Sequence, residues 1–215
     1  DGLPLALDQA EAFIEETACG LEGYLDLYRT KGIELLKRRG ELATAHLDPV
    51  ATTWTLSFEK VENANPAAAE LLRFCAFLYP DGIPEELITE GAPELGPVLE
   101  PIAADPLELN QAIAEILKYS LLHRDQSSRT LDMHRLVQTA LKTEMDETAQ
   151  PTWVERTVRA MNLAFPDVEF STWPRCERLL PHAQICAGLV EEWEWEFQEA
   201  ARLLSLTGSY LQARA

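Results

Sequence analysis

The chain has 215 residues, 47% of them apolar and 25% charged, a composition that supports a sizeable folded core and excludes collagen-like, low-complexity and disordered classes. Asp and Glu number 36 against 18 Lys and Arg, a formal net charge of −18 at pH 7. Such an excess of acid opposes DNA, RNA or an anionic membrane surface as partner unless a local basic patch offsets it.

The longest apolar stretch, Phe74-Cys75-Ala76-Phe77-Leu78-Tyr79, is far too short to span a bilayer and is flanked by Arg73. The first residues, Asp1-Gly2-Leu3-Pro4, carry no basic signal-peptide region, and the absent initiator Met predicts a piece of a longer protein. Cys19, Cys75, Cys176 and Cys186 are scattered without a CxxC pair, which fits a cytoplasmic chain without disulfides.

Helical signals dominate in chain order. Leu3, Leu7, Ala10 and Ile14 fall on one stripe, with Pro4 suited to a first turn and Gly20 as a stop. Tyr24, Leu27 and Tyr28 predict a second helix. Ile33, Leu35 and Leu36 predict a third, ending in Lys37-Arg38-Arg39, where cations offset the helix dipole. After a loop over 41–50, Trp54, Phe58 and Val61 predict an amphipathic helix. Asn65-Pro66 combines a cap with a first-turn proline, and the helix behind it runs through Leu71, Leu72, Cys75 and Leu78 to the stop Pro80-Asp81-Gly82.

Ile83 to Ile88 predicts a short helix entered by proline, and the Pro- and Gly-rich stretch 89–105 a connector. Asp105-Pro106-Leu107-Glu108 signals another helix start, with Leu109, Ile113, Ile116 and Leu117 on the buried face. Tyr119 to His123 and Arg129 to Met133 flank the polar turn Asp125-Gln126-Ser127-Ser128 and predict a hairpin. A helix with Leu136, Val137, Ala140 and Leu141 on its apolar face follows. Three helices, a hairpin and a closing helix is the order of a winged-helix module. Beyond 151 the pattern is helical, with breaks expected at Pro166, Pro174 and Pro181. Glu191, Glu192, Glu194, Glu196 and Glu199 alternate with Trp193, Trp195 and Phe197, which reads as a helix with an acidic outer face; an acidic–aromatic docking patch is the minority alternative.

Several chemistries are missing. A P-loop needs Gly-Lys before Ser or Thr so that backbone N–H groups and an ammonium converge on phosphate. Lys31, Lys37, Lys60, Lys118 and Lys142 follow Thr30, Leu36, Glu59, Leu117 and Leu141, so none qualifies. His46, His123, His134 and His182 form no i,i+4 pair and have no cysteine at ligand spacing, so no metal site is expected. No nucleophile elbow or kinase signature occurs, and no catalytic residue is assigned. The helix 106–117 carries Glu108 and Glu115 and leads to Lys118 alone; the wing sets Arg124 and Arg129 against Asp125 and Asp132. That is a poor footprint for DNA, so the winged helix is expected to face protein.

Gly2-Leu3-Pro4-Leu5-Ala6, Leu71 to Leu78, Asp81-Gly82-Ile83-Pro84 and Leu131-Asp132-Met133-His134-Arg135-Leu136-Val137-Gln138 resemble, in order and spacing, the motifs of STAND-class signalling NTPases, the NB-ARC group in particular. Trp153 to Ala215, with Phe165-Pro166-Asp167 and Arg178-Leu179-Leu180-Pro181, is similar to the lead-in to a tetratricopeptide array in bacterial and fungal members. Leu204, Gly208 and Leu211 fit the large–small–large spacing of a first repeat helix.

The resemblance implies a mainly α chain: a helical domain over 1–50, a winged-helix domain over 51–147, a helical linker over 148–200 and the start of a tetratricopeptide α-solenoid over 201–215. It implies the regulatory arm of an ATP/ADP switch, not an enzyme by itself. An upstream nucleotide-binding domain in cis would carry the P-loop, a downstream repeat sensor would meet an unknown trigger, and activation would bring self-association. Pro4 matches the family proline that packs against adenine, and His134 the histidine that contacts the ADP β-phosphate in the closed state. Where plant members have Asp after that histidine this chain has Arg135, which either contacts phosphate itself or pairs with an acid such as Asp132. The competing readings are a winged-helix transcription regulator with a helical effector domain and a purely structural helical adaptor.

Overall fold

A computed structural model of the chain describes residues 10–11, 14, 17–37, 50–146 and 148–214. Pro4 and the rest of the Gly2–Ala6 motif lie outside the described residues. The chain divides into two units, Asp1–Glu59 and Lys60–Ala215. The described residues are mainly helical, with one three-stranded sheet.

In the first unit, Ala18 and Gly20 adopt left-handed φ values of 52 and 69° and separate the helical residues 10, 11, 14 and 17 from α1, Gly20–Lys37. One continuous helix thus covers the stretch that the spacing assigns to two. Gly32 is the only weak helix former in between, and a lone helix-interior glycine costs only about 1 kcal/mol. The Tyr24 and Tyr28 rings stack along one face, 6.4 Å between centroids. Helix α2, Val50–Ala64, crosses from the first unit into the second.

The second unit is built round α3, Pro66–Ala76. Asn65 Oδ1 accepts from the N–H groups of Ala67 and Ala68, and Pro66 occupies the first turn, as Asn-Pro predicts. Ala67, Ala68, Ala69, Leu71, Leu72, Phe74, Cys75 and Ala76 are all buried, so α3 is apolar on almost every side. Four helices surround it: α5 Gly96–Ala104, α6 Pro106–Leu117, α7 Arg135–Glu144 and α8 Ala149–Ala164. At its far end, buried Gln138 on α7 donates through Nε2 to the carbonyls of Cys75 and Leu78, both at 3.0 Å. Those carbonyls lie at the helix end, beyond the regular ladder; that of Cys75 also accepts the Leu78 N–H at 3.3 Å.

Ile83-Pro84 forms strand β1 instead of opening a helix, and α4 is confined to Glu85–Glu90. β1 pairs antiparallel with β3, Thr130–Asp132, and β3 with β2, His123–Asp125, giving the order β1-β3-β2. Pro84 has no N–H to give, which suits an edge strand. The hairpin exists, but β2 starts four residues later than Tyr119. Tyr119 and Ser120 instead make turn hydrogen bonds back to Ile116 and Leu117, and Ser120, at φ 55°, reverses the chain. Asp125 Oδ1 accepts from Ser127 N, Ser127 Oγ and Ser128 N and so closes the hairpin turn.

The presumed connector 89–105 is mostly helical: a 3₁₀ turn at Ala92–Glu94 precedes α5. Pro97 sits in the first turn of α5, where a missing N–H costs nothing, and Leu99 and Ala103 face the core. In α6, Asp105 Oδ1 caps Leu107 and Glu108, while Leu109, Ile113 and Ile116 are buried; Leu117, expected with them, is 38% exposed.

Helices α8, α9 (Trp173–Glu192) and α10 (Gln198–Arg214) pack on one another, and α8 also packs on α4. Gly91, the C-cap of α4, lets that pair approach: a Cβ there would lie 2.7 Å from the Ala160 Cβ of α8. Pro166 falls in a helix break, but Pro174 starts α9 and Pro181 lies inside it. Burial of Leu179, His182, Ala183 and Cys186 round that proline holds the helix across the lost N–H.

The Trp–Glu alternation is not helical. Glu194 has φ 52°, Trp195 N–H donates to the Val190 carbonyl, and the rings of Trp193, Trp195 and Phe197 meet in series, tilted to one another, across the α9–α10 turn. A period of two cannot follow one face of a 3.6-residue helix. On α10, Ala200, Leu203, Thr207 and Tyr210 face inward, whereas Leu204 and Leu211 are 40 and 43% exposed and Gly208 has open space beside it.

Candidate functional site

His134 joins β3 to α7 and is the N-cap of that helix. Its φ and ψ of −61 and 136° are extended, and Nδ1 accepts the Leu136 N–H at 3.2 Å. An accepting Nδ1 fixes the neutral tautomer with its proton on Nε2. Burial of the half-exposed ring holds the His134 pKa below the ordinary histidine value, and the neighbouring Arg135 charge acts the same way against an opposing pull from Asp81. At neutral pH the ring is therefore an uncharged Nε2–H donor.

Arg135 occupies the first helical position and is exposed; its carbonyl accepts from Thr139 Oγ1. Asp132 is engaged elsewhere: its Oδ1 accepts the Gly82 N–H at 2.6 Å. No ion pair joins Arg135 to Asp132 among the described residues. The structure thus brings His134 and Arg135 together at one helix N-terminus, where the backbone dipole favours an anion. Pro4 cannot be set beside them, being outside the described residues.

Two groups that sequence reasoning passed over lie close by. Gly82 adopts φ +67°, the left-handed region that favours glycine. Its N–H goes to Asp132, and its carbonyl accepts Nε2–H of His182 from α9 at 3.2 Å. His182 is 1% exposed, and Tyr79 meets its ring edge-on at 6.2 Å. Burial pushes His182 down to about 4, with Arg178 adding to the effect and the Gly82 carbonyl opposing it. Spacing alone could not separate this histidine from a surface one, since its partner is a backbone carbonyl 100 residues away.

Of the two wing arginines, Arg124 is engaged by its side chain, while Arg129 is exposed and stands in no ion pair among the described residues. Arg124 makes a two-pronged contact with Glu85, at 2.6 and 2.9 Å, and donates to Asn110 Oδ1 at 2.7 Å. Lys118 pairs with Glu115. Burial pushes the Cys75 and Cys186 thiols up to about 12, which makes them poor nucleophiles. Among the described residues no group of three or more His, Cys, Asp or Glu side chains could hold a metal ion, and no helix is long and apolar enough to cross a membrane.

A family described as a domain of unknown function (DUF7779) matches residues 59–150, from the end of α2 through the start of α8. The chain is 27% identical over 195 residues to a nucleotide-binding leucine-rich repeat (NLR)-like protein of the fungus Hyaloscypha variabilis. That match covers 85% of this chain and 18% of the relative, so the chain spans less than a fifth of that protein's length. No solved structure matches. The chain is thus a distant relative of an NLR-like protein, mainly helical, with His134 and Arg135 opening the helix behind its hairpin.

Proposed function

We propose that the chain is the regulatory arm of a STAND-type, ATP/ADP-switched signalling protein. In this reading residues 1–50 are the helical domain, 51–147 a winged helix, 148–200 a helical linker and 201–215 the start of a tetratricopeptide array. An upstream nucleotide-binding domain, in the cytoplasm, supplies the P-loop and any ATPase activity. Pro4, His134 and Arg135 contact bound ADP and hold the closed state; the arm itself is not catalytic. A trigger acting on the downstream repeats releases these contacts, and self-association follows.

The observation that carries the reading is where His134 sits. The element order helix (α3), strand (β1), helices (α4 to α6), hairpin (β2 and β3) and helix (α7), with sheet order β1-β3-β2, supports the reading of this stretch as a winged helix. His134 follows Met133 after the last strand and caps the closing helix, as a neutral donor at a helix N-terminus beside Arg135. A phosphate oxygen suits that combination. The relationship to an NLR-like protein supports the class. The outward stripe Leu204, Gly208 and Leu211 is the face that a next repeat helix would cover.

Two experiments test this. In the nucleotide-binding parent, His134→Ala is expected to raise the oligomeric fraction and basal signalling without a trigger, read by light scattering after size exclusion. A mutant that stays as monomeric as the wild type contradicts the switch role. Residues 1–215 alone are expected not to hold ADP tightly; nanomolar binding by calorimetry contradicts the division of labour with an upstream domain.

A further inference from the structure

Three side chains on one face of α9 reach α4, the hairpin turn and the Gly82 turn before β1. They stand at i, i+3 and i+7, which is one helical stripe. Arg175 pairs with Glu90 at the end of α4 and donates to the Ala164 carbonyl at 2.8 Å. Arg178 Nη2 donates to the Ser128 and Arg129 carbonyls of the hairpin turn, at 2.6 and 3.2 Å, and its Nε lies 3.1 Å from Glu86. His182 Nε2–H donates to the Gly82 carbonyl.

These contacts converge on the peptide units that frame His134. The Arg129 carbonyl also accepts the Glu85 N–H, so Arg178 grips the point where β3 begins and α4 starts. The Gly82 unit is held from two sides, its carbonyl by α9 and its N–H by Asp132, two residues before His134. One residue before His134, the Met133 N–H donates to the Pro80 carbonyl at 2.8 Å, in the same turn. Displacing α9 therefore unloads the Gly82 turn, and with it the strand end that carries His134. Each link is a hydrogen bond of 2.6–3.2 Å, so the coupling runs through discrete, breakable contacts.

We propose that α9 is a latch that sets the position of His134 through the Gly82 turn, with Arg178 and His182 as its positioning residues. Movement of the C-terminal helices would then change the nucleotide contact, and this last step rests on the reading of His134 as an ADP contact.

Hydrogen exchange and imidazole NMR on the 215-residue chain test the latch without nucleotide. In Arg178→Met, whose wild-type side chain is 33% exposed, the Gly82 amide is expected to exchange about tenfold faster. The His134 ring signals should shift, while amides at Leu203 and Thr207 on α10 keep their rates. His182→Leu should repeat the pattern, and His182→Gln, which retains an N–H donor, should restore Gly82 protection. Unchanged Gly82 exchange and His134 signals overturn the proposal, as does a uniform acceleration that includes α10. These readouts need no nucleotide, so their failure refutes the coupling. An ADP affinity untouched by His134→Ala in the parent protein refutes the nucleotide contact instead.

Discussion

At the scale of single residues, two histidines divide the chemistry. His134 is half-buried and uses Nδ1 to cap a helix; His182 is buried and uses Nε2–H to hold a carbonyl. For His182 the linkage to stability has a definite sign. Its folded pKa, about 4, lies below the ordinary 6.5, so above pH 6.5 both folded and unfolded states are neutral there and nothing is lost. As pH falls from 6.5 toward 4 the unfolded chain takes up a proton that the folded chain refuses, a loss of about 3 kcal/mol. Urea midpoints of wild type and His182→Leu over that pH range check this. The variant should lose less stability than the wild type, and parallel losses would contradict a buried neutral ring. The sequence marked His134 only through its flanking motif, and nothing marked His182, because a donor to a distant carbonyl leaves no spacing signature.

Among elements, the caps were the most legible. Asn65 and Asp105 accept from the two following backbone N–H groups that their Asn-Pro and Asp-Pro pairs imply. Elements whose periodicity is too short or whose local signal is overridden were not legible. A two-residue strand containing Pro84 has no alternation to read, and α5 begins with Gly96-Pro97, which alone signals a turn. Pro181 stays inside α9 because tertiary burial outweighs one lost hydrogen bond. The α9 stripe Arg175, Arg178 and His182 has the polarity of a solvated face; only its carbonyl acceptors reveal its role. Gln138 is a similar case, a polar residue within the apolar stripe of α7 that closes the end of α3. Replacing it with Met leaves two buried carbonyls without that donor and should cost about 1–3 kcal/mol. Chemical denaturation measures it, and an unchanged midpoint would mean that water replaces the amide.

For the whole molecule, the charge of −18 gains a local meaning. Net acidity opposes polyanions, and the wing and α6 add no cluster of basic side chains: Arg124 and Lys118 are paired with Glu85 and Glu115, which leaves the exposed Arg129 as the wing's single cation outside these pairs. A gel-shift titration at low salt should accordingly give no sequence-specific DNA complex. A specific complex that weakens with salt would favour a transcription regulator instead. The α7 N-terminus, with His134 and Arg135, is the local site at which an anion contact is proposed. The central claim is that His134 touches ADP, and calorimetric titration of ADP into the nucleotide-binding parent tests it most directly. Deleting a donor to a charged oxygen should weaken ADP roughly 10- to 100-fold in His134→Ala. An affinity equal to that of the wild type would contradict the account.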